Sequence, residues 1–258
     1  MTWTRQDLAT RMNVRLDWPA LEPTPRWIRV RLDGELIADT RRAQLLIDYG
    51  PDAMPTYFIP VDDVCTERLV ERDTAPDGTV TWSVRAAGRT ADRAAYGYTA
   101  PPADLPSLAD HVSFRWDAVE WYEEDERVVV HARDPHKRVD VLRSSRHVRV
   151  EVAGVTVADS RRPTLLFETM LPPRYYLPRE DVRTDLLMPS DTTSICPHKG
   201  EASYWSIHVN GVVVPDAVWS YRDPIPENPR IRDLFCFFNE RVDVTVDGQL
   251  DKPWTPWA

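Results

Sequence analysis

The chain has 258 residues, 42% of them hydrophobic, and a formal net charge of −9 from 41 acidic and 32 basic side chains. That balance opposes attraction to nucleic acid or to an anionic membrane surface, and no run of 18 apolar residues offers a membrane span. Cysteines at 65, 196 and 236 form no CxxC pair, so neither a structural disulfide nor a bound metal is expected, and no cofactor is called for.

Met1-Thr-Trp-Thr-Arg-Gln-Asp lacks a basic-then-apolar signal pattern, which makes a cytoplasmic location the expectation. Residues 1–25 are polar and proline-rich and read as a leader lying over a first domain. Ile28, Val30 and Leu32 then alternate with Arg29, Arg31 and Asp33, and Gly34 marks a turn before Leu36-Ile-Ala38. This is the pattern of an antiparallel hairpin with one face buried. Tyr57-Phe-Ile-Pro60 reads as a short strand feeding a turn or one helical turn. Trp82-Ser-Val84 and Ala94-Ala-Tyr-Gly-Tyr98 read as further strands. Glu123-Glu-Asp-Glu126 reads as a solvated turn at a domain boundary, which places residues 1–126 in one domain and 127–258 in a second. Arg127–His131 is expected to be a strand, and Arg133-Asp-Pro-His-Lys-Arg138 to bridge it to Val139-Asp-Val-Leu142.

From His147 the chain repeats itself. Residues 28–48 and 148–168 are identical at nine of 21 positions, where roughly one or two would be expected by chance. Tyr175-Tyr-Leu-Pro178 matches Tyr57-Phe-Ile-Pro60, Trp205-Ser-Ile207 matches Trp82-Ser-Val84, and Ala217-Val-Trp-Ser-Tyr221 matches Ala94-Ala-Tyr-Gly-Tyr98. Phe237-Phe-Asn-Glu-Arg-Val242 matches Phe114-Arg-Trp-Asp-Ala-Val119, and Val242-Asp-Val-Thr-Val246 ends at a turn dipeptide, Asp247-Gly248. Short strands broken by Pro and Gly, with almost no helical periodicity, make both halves all-β. The repeated Asp-Thr/Ser-Arg-Arg (Asp39 and Asp159 onward) reads as a fold device, with the aspartates accepting turn hydrogen bonds or pairing with the arginines.

Phe167-Glu-Thr-Met-Leu-Pro-Pro-Arg-Tyr-Tyr-Leu-Pro178, Thr193-Ser-Ile-Cys-Pro-His-Lys-Gly200, Tyr204-Trp205 and Ala217-Val-Trp-Ser-Tyr221 resemble the DUF427 family, most strongly over about 130–250 and in part over about 27–125. The resemblance implies an all-β fold of two tandem β-tent-like domains, each of short antiparallel strands in two sheets, similar in outline to Yippee-type domains and the ligand-binding domain of cereblon. Those relatives hold zinc through paired CxxC motifs, which this chain lacks. The family brings no established activity.

The chemistry-bearing residues gather in the second half. Cys196 is either a small buried cysteine at a strand end, a pocket thiol, or a nucleophile served by His198. Lys199 offers a cation and Gly200 close backbone approach, without the glycine-rich stretch of a P-loop. By alternation Trp205, Ile207 and Val209 share one face, Tyr204, Ser206 and His208 the other, and Trp219 and Tyr221 share a face. Arg174, Tyr175 and Tyr176 follow the rigid Pro172-Pro173. The first half has only Asp73-Thr-Ala-Pro-Asp-Gly78 in place of the Cys-Pro-His-Lys-Gly loop, and Pro51-Asp-Ala-Met-Pro55 in place of the Pro-Pro-Arg element. The expected function is binding of a small polar or planar metabolite in a cleft of the second domain by Lys199, Gly200, Tyr204, Trp219, Tyr221, Arg174 and Tyr176. The alternatives are an enzyme of acyl or nucleotidyl transfer or hydrolysis using Cys196 and His198, and a structural or protein-interaction module. The sequence does not set an oligomeric state.

Overall fold

The computed structural model describes residues 19–49 and 54–251. Two compact units succeed one another in the chain, dividing between Asp134 and Pro135. Among the described residues there is no α-helix, only strands and six single 3-10 turns, and so none long and apolar enough to cross a membrane.

The first unit holds two antiparallel sheets. One has seven strands, in the order Ala20–Pro23, Gln44–Ile47, Thr56–Pro60, His111–Phe114, Arg89–Tyr98, Thr79–Ala86, Leu69–Thr74; the other has four, in the order Glu126–Arg127, Glu120–Glu123, Ile28–Leu32, Glu35–Thr40. The second unit repeats this strand for strand. Its seven-stranded sheet runs Val139–Arg143, Thr164–Glu168, Arg174–Leu177, Phe235–Phe237, Val212–Ser220, Gly200–Val209, Leu187–Cys196. Its four-stranded sheet runs Val155–Ser160, Val148–Val152, Asp243–Val246, Gln249–Asp251.

Even the irregularities recur. The bulge at Val30/Arg31 returns at Val150/Glu151, that at Trp82/Val84 at Trp205/Ile207, and that at Val70/Asp73 at Pro189/Thr193. The hairpin turns expected at Gly34 and Gly154 are two-residue turns with positive φ at both positions: Asp33 49°, Gly34 83°, Ala153 47° and Gly154 75°. This geometry matches the right-handed twist of the flanking strands.

Alternation puts the apolar faces of the two sheets of each unit against one another. In the first unit Ile28, Val30, Leu32, Ile37, Val84, Phe114 and Trp121 fill the space, and in the second Val148, Val150, Val157, Leu177, Ile207, Val218 and Val244 do so. Each such side chain contributes about 1.5–3 kcal/mol on burial.

Three expectations change. Ala20–Pro23, read as leader, is an edge strand paired with Gln44–Ile47, and it is the counterpart of Val139–Arg143 on Thr164–Glu168. An edge strand tolerates Pro23 and needs no strict alternation; the leader's residues 1–18, and Pro51–Ala53, lie outside the described residues. Arg127–His131 is not a strand beyond Arg127, because Val130 takes φ 73° and turns the chain. Residues 127–134 group with the first unit, where Val128 and Ala132 pack on its core.

The repeated Asp-Thr/Ser-Arg-Arg is indeed a fold device, but the aspartate that pairs with arginine is another one. Thr40 Oγ1 donates to Asp63 Oδ2 at 2.6 Å, and Arg42 grips the same carboxylate through Nη2 (2.6 Å) and Nε (3.2 Å). Ser160, Arg162 and Asp181 repeat the clamp at 2.7–3.1 Å. Asp39 instead accepts from Trp27 Nε1 at 2.6 Å, and Asp159 contacts His147 Nε2 at 2.8 Å.

Candidate functional site

In each unit the outer face of the seven-stranded sheet is covered by the loop that follows Arg89–Tyr98 or its counterpart Val212–Ser220. In the second unit that loop, residues 222–234, brings Ile231 down onto Leu166, Tyr176, Ala202, Trp219, Tyr221 and Cys236, with Val139, Val141, Tyr204 and Phe238 at the margin. The loop is tied to the Cys-Pro-His-Lys-Gly turn at several points. Ile225 N donates to Lys199 O (3.1 Å), Asn228 Nδ2 donates to His198 O (2.6 Å), and Gly200 forms a bridge with Pro224. Gly200 has φ 103°, and a Cβ there would meet Asp223 O at 3.1 Å, so glycine is required both by backbone and by space.

Lys199 does not project into solvent. Its ammonium donates to Glu168 Oε2, while Lys137 Nζ lies 2.8 Å from Oε1 of the same carboxylate. The side chains of Glu168, Lys199 and Lys137 are 2%, 12% and 14% exposed. Burial alone would push the Glu168 carboxyl up, but the two ammonium groups outweigh it and hold it down at about 2. Burial would likewise lower the Lys199 ammonium, and the Glu168 carboxylate more than restores it.

Beside this group sits a second buried ion pair. Arg174 Nη2 and Nη1 meet Glu240 Oε1 and Oε2 at 2.7 and 2.9 Å, and Nη1 also donates to Asn239 Oδ1 at 2.7 Å. The guanidinium lies 5.5 Å from the Trp219 ring centroid and 5.7 Å from that of Phe238. Trp219 Nε1 donates to Tyr176 Oη at 3.1 Å. Burial raises the Tyr176 and Tyr221 hydroxyls well above the usual tyrosine range and pushes the Cys236 thiol up to about 12.

Lys199, Gly200, Tyr204, Trp219, Tyr221, Arg174 and Tyr176 therefore stand together on one sheet face and its covering turn, but in two tiers. Tyr176, Trp219, Tyr221 and Arg174 are buried, and the three aromatic side chains pack as a second core rather than as the wall of an open cleft. Cys196, His198, Lys199, Gly200 and Tyr204 are half-buried above them, and the Tyr204 hydroxyl bonds Ser194 Oγ at 2.7 Å. Cys196 ends its strand, and its carbonyl accepts from Lys199 N at 3.3 Å. Nothing in the sequence marks Glu168 as the partner of Lys199, or Glu240 and Asn239 as the partners of Arg174. The Arg133–Arg138 bridge held a hint, since it supplies Lys137.

The same face of the first unit is a control. There Phe58, Tyr96, Tyr98, Leu46 and Leu21 take the places of Tyr176, Trp219, Tyr221, Leu166 and Val141, under Leu105 and Leu108 of the covering loop. Thr56 replaces Arg174, and its hydroxyl accepts from Trp116 Nε1 at 3.2 Å, where the second unit has Asn239. No lysine stands in the shorter 73–78 segment. Among the described residues no group of three or more His, Cys, Asp or Glu is placed to hold a metal ion.

Two copies of one two-sheet all-β unit, joined in tandem, define the class of protein. The family model described as a domain of unknown function (DUF427) matches residues 20–125 and again 140–248, and the chain belongs to that family. A comparison with curated proteins gave no match.

Proposed function

We propose that the second unit binds a small polar or planar metabolite at the Cys196–Gly200 turn, with Lys199, Tyr204 and Gly200 in contact and Arg174, Tyr176, Trp219 and Tyr221 supporting them from below. The observation that carries this reading is the contrast between the two outer faces. Charged groups in a protein interior cost several kcal/mol each in desolvation, and well-packed apolar groups commonly serve stability as well or better. The first unit keeps the same strand order and covers the same face with Phe58, Leu105 and Leu108. The same sheet thus forms in the first unit without a counterpart of Lys199, and a ligand supplies a reason for the second unit to carry the Glu168–Lys199–Lys137 group.

The half-buried tier gives such a ligand the Lys199 cation, the Tyr204 phenol and the His198 imidazole, polar and flat groups of the kind small-molecule sites use. Native mass spectrometry of the freshly purified full chain tests the reading. Non-protein mass retained by the wild type and lost in Lys199→Met supports it, and equal retention in the variant overturns it.

A further inference from the structure

In the first unit Ile47 is 2% exposed and lies in one core cluster with Ala132, Val128 and Tyr49. The stretch that follows the last strand, Glu126–Arg127, supplies part of that cover. Val128 N donates to Trp121 O at 2.9 Å, and Val130 turns the chain at φ 73°. Ala132 is then fully buried, and Asp134 Oδ2 accepts from Tyr49 Oη at 2.8 Å. Tyr49 stands two residues beyond Ile47, so the stretch is fastened beside it.

The second unit is open at the same place. Phe167 is the counterpart of Ile47, and Leu142 that of Glu22. They are 38% and 52% exposed, and no core cluster among the described residues takes in either of them. Phe167 pairs with Asp140, and Leu142 with Leu165, which is buried in the core. Phe167 and Leu142 are therefore diagonal neighbours on the face that carries Leu165, about 7–8 Å apart.

Strand register says which stretch corresponds to the first unit's cover. Arg127 pairs with Tyr122, and Leu250 with Thr245, the residue equivalent to Tyr122. Asp251, opposite Val244, thus holds the place of Val128, whose amide meets Trp121 O. The sequence goes on as Lys252-Pro-Trp-Thr-Pro-Trp-Ala258, seven residues, as many as in 128–134. Proline at 253 and 256 favours the polyproline II conformation. Its three residues per turn put Trp254 and Trp257 on one side, about 9 Å apart. That spacing matches the diagonal of Phe167 and Leu142. We propose that residues 252–258 are the cover of the second unit's open end, with Trp254 and Trp257 laid on Phe167 and Leu142. Both rings bring a large apolar area to an exposed apolar pair, and the link to Asp251 holds them at high effective concentration. This contact is separate from the Cys196 turn and does not depend on the reading given for it.

Photo-crosslinking of the full chain tests the proposal. Leu142→p-benzoylphenylalanine sets a reactive ring in the patch at an exposed position. Irradiation should join it to the peptide that holds Trp254 and Trp257, in a product with the mass of a single chain. Trp254→Ala/Trp257→Ala should lower that product at least about tenfold. Truncation after Asp251 should raise anilinonaphthalene sulfonate fluorescence severalfold by baring the apolar pair, and Phe167→Ser in the truncated chain should remove the gain. A product joined instead to residues 1–18, a product formed only between two chains, no product at all, or equal dye binding with and without residues 252–258 overturns the proposal.

Discussion

Glu168 carries two ammonium groups on one buried carboxylate, and its pH behaviour follows from that. Its folded pKa of about 2 lies below the ordinary 4.5, so the ionised form is the one that stabilises the fold. The contribution is fully present above about pH 4.5 and is lost as the pH falls towards 2. At neutral pH it amounts to about 3 kcal/mol. Glu168→Gln should therefore be destabilised by roughly that amount in urea melts at pH 7, with the gap to wild type closing below pH 4.5.

Cys236, fully buried with its thiol raised to about 12, should resist iodoacetamide in the native protein, whereas half-buried Cys196 and Cys65 are alkylated first; peptide mapping after timed quenching reads the order. Lys199 was legible in the sequence because its loop is missing from the first half. Its partner was not, since Glu168 lies 31 residues away in the chain and only the folded sheet brings the two together.

At the level of elements, alternation and turn dipeptides made the hairpins readable, because one face of each strand must be buried. They could not show Ala20–Pro23, an edge strand with no fully buried residue, nor the left-handed turn at Val130. The Thr40–Asp63–Arg42 and Ser160–Asp181–Arg162 clamps each tie the end of one hairpin to the 3-10 turn that follows the next two strands. Asp63→Ala should speed amide exchange in Gln44–Ile47 and leave Thr164–Glu168 unchanged, and Asp181→Ala should do the reverse. Equal effects in both units would show that the clamps do not act locally.

On the scale of the molecule, each unit has its own core and its own complete pair of sheets. Residues 19–134 and 135–251, expressed separately, should each give a cooperative thermal transition; a non-cooperative melt of either would count against the independence of the cores.

The bulges at Val70/Asp73 and Pro189/Thr193 fall on the outermost strands of the two seven-stranded sheets, and they have a consequence beyond the single chain. A straight outer strand invites another molecule to add to it, and a bulge spoils that template. Deleting Ser190 and Asp191 would straighten the border of the second unit, and light scattering should then rise with protein concentration. The interruption of the ladder is a guard against polymerisation.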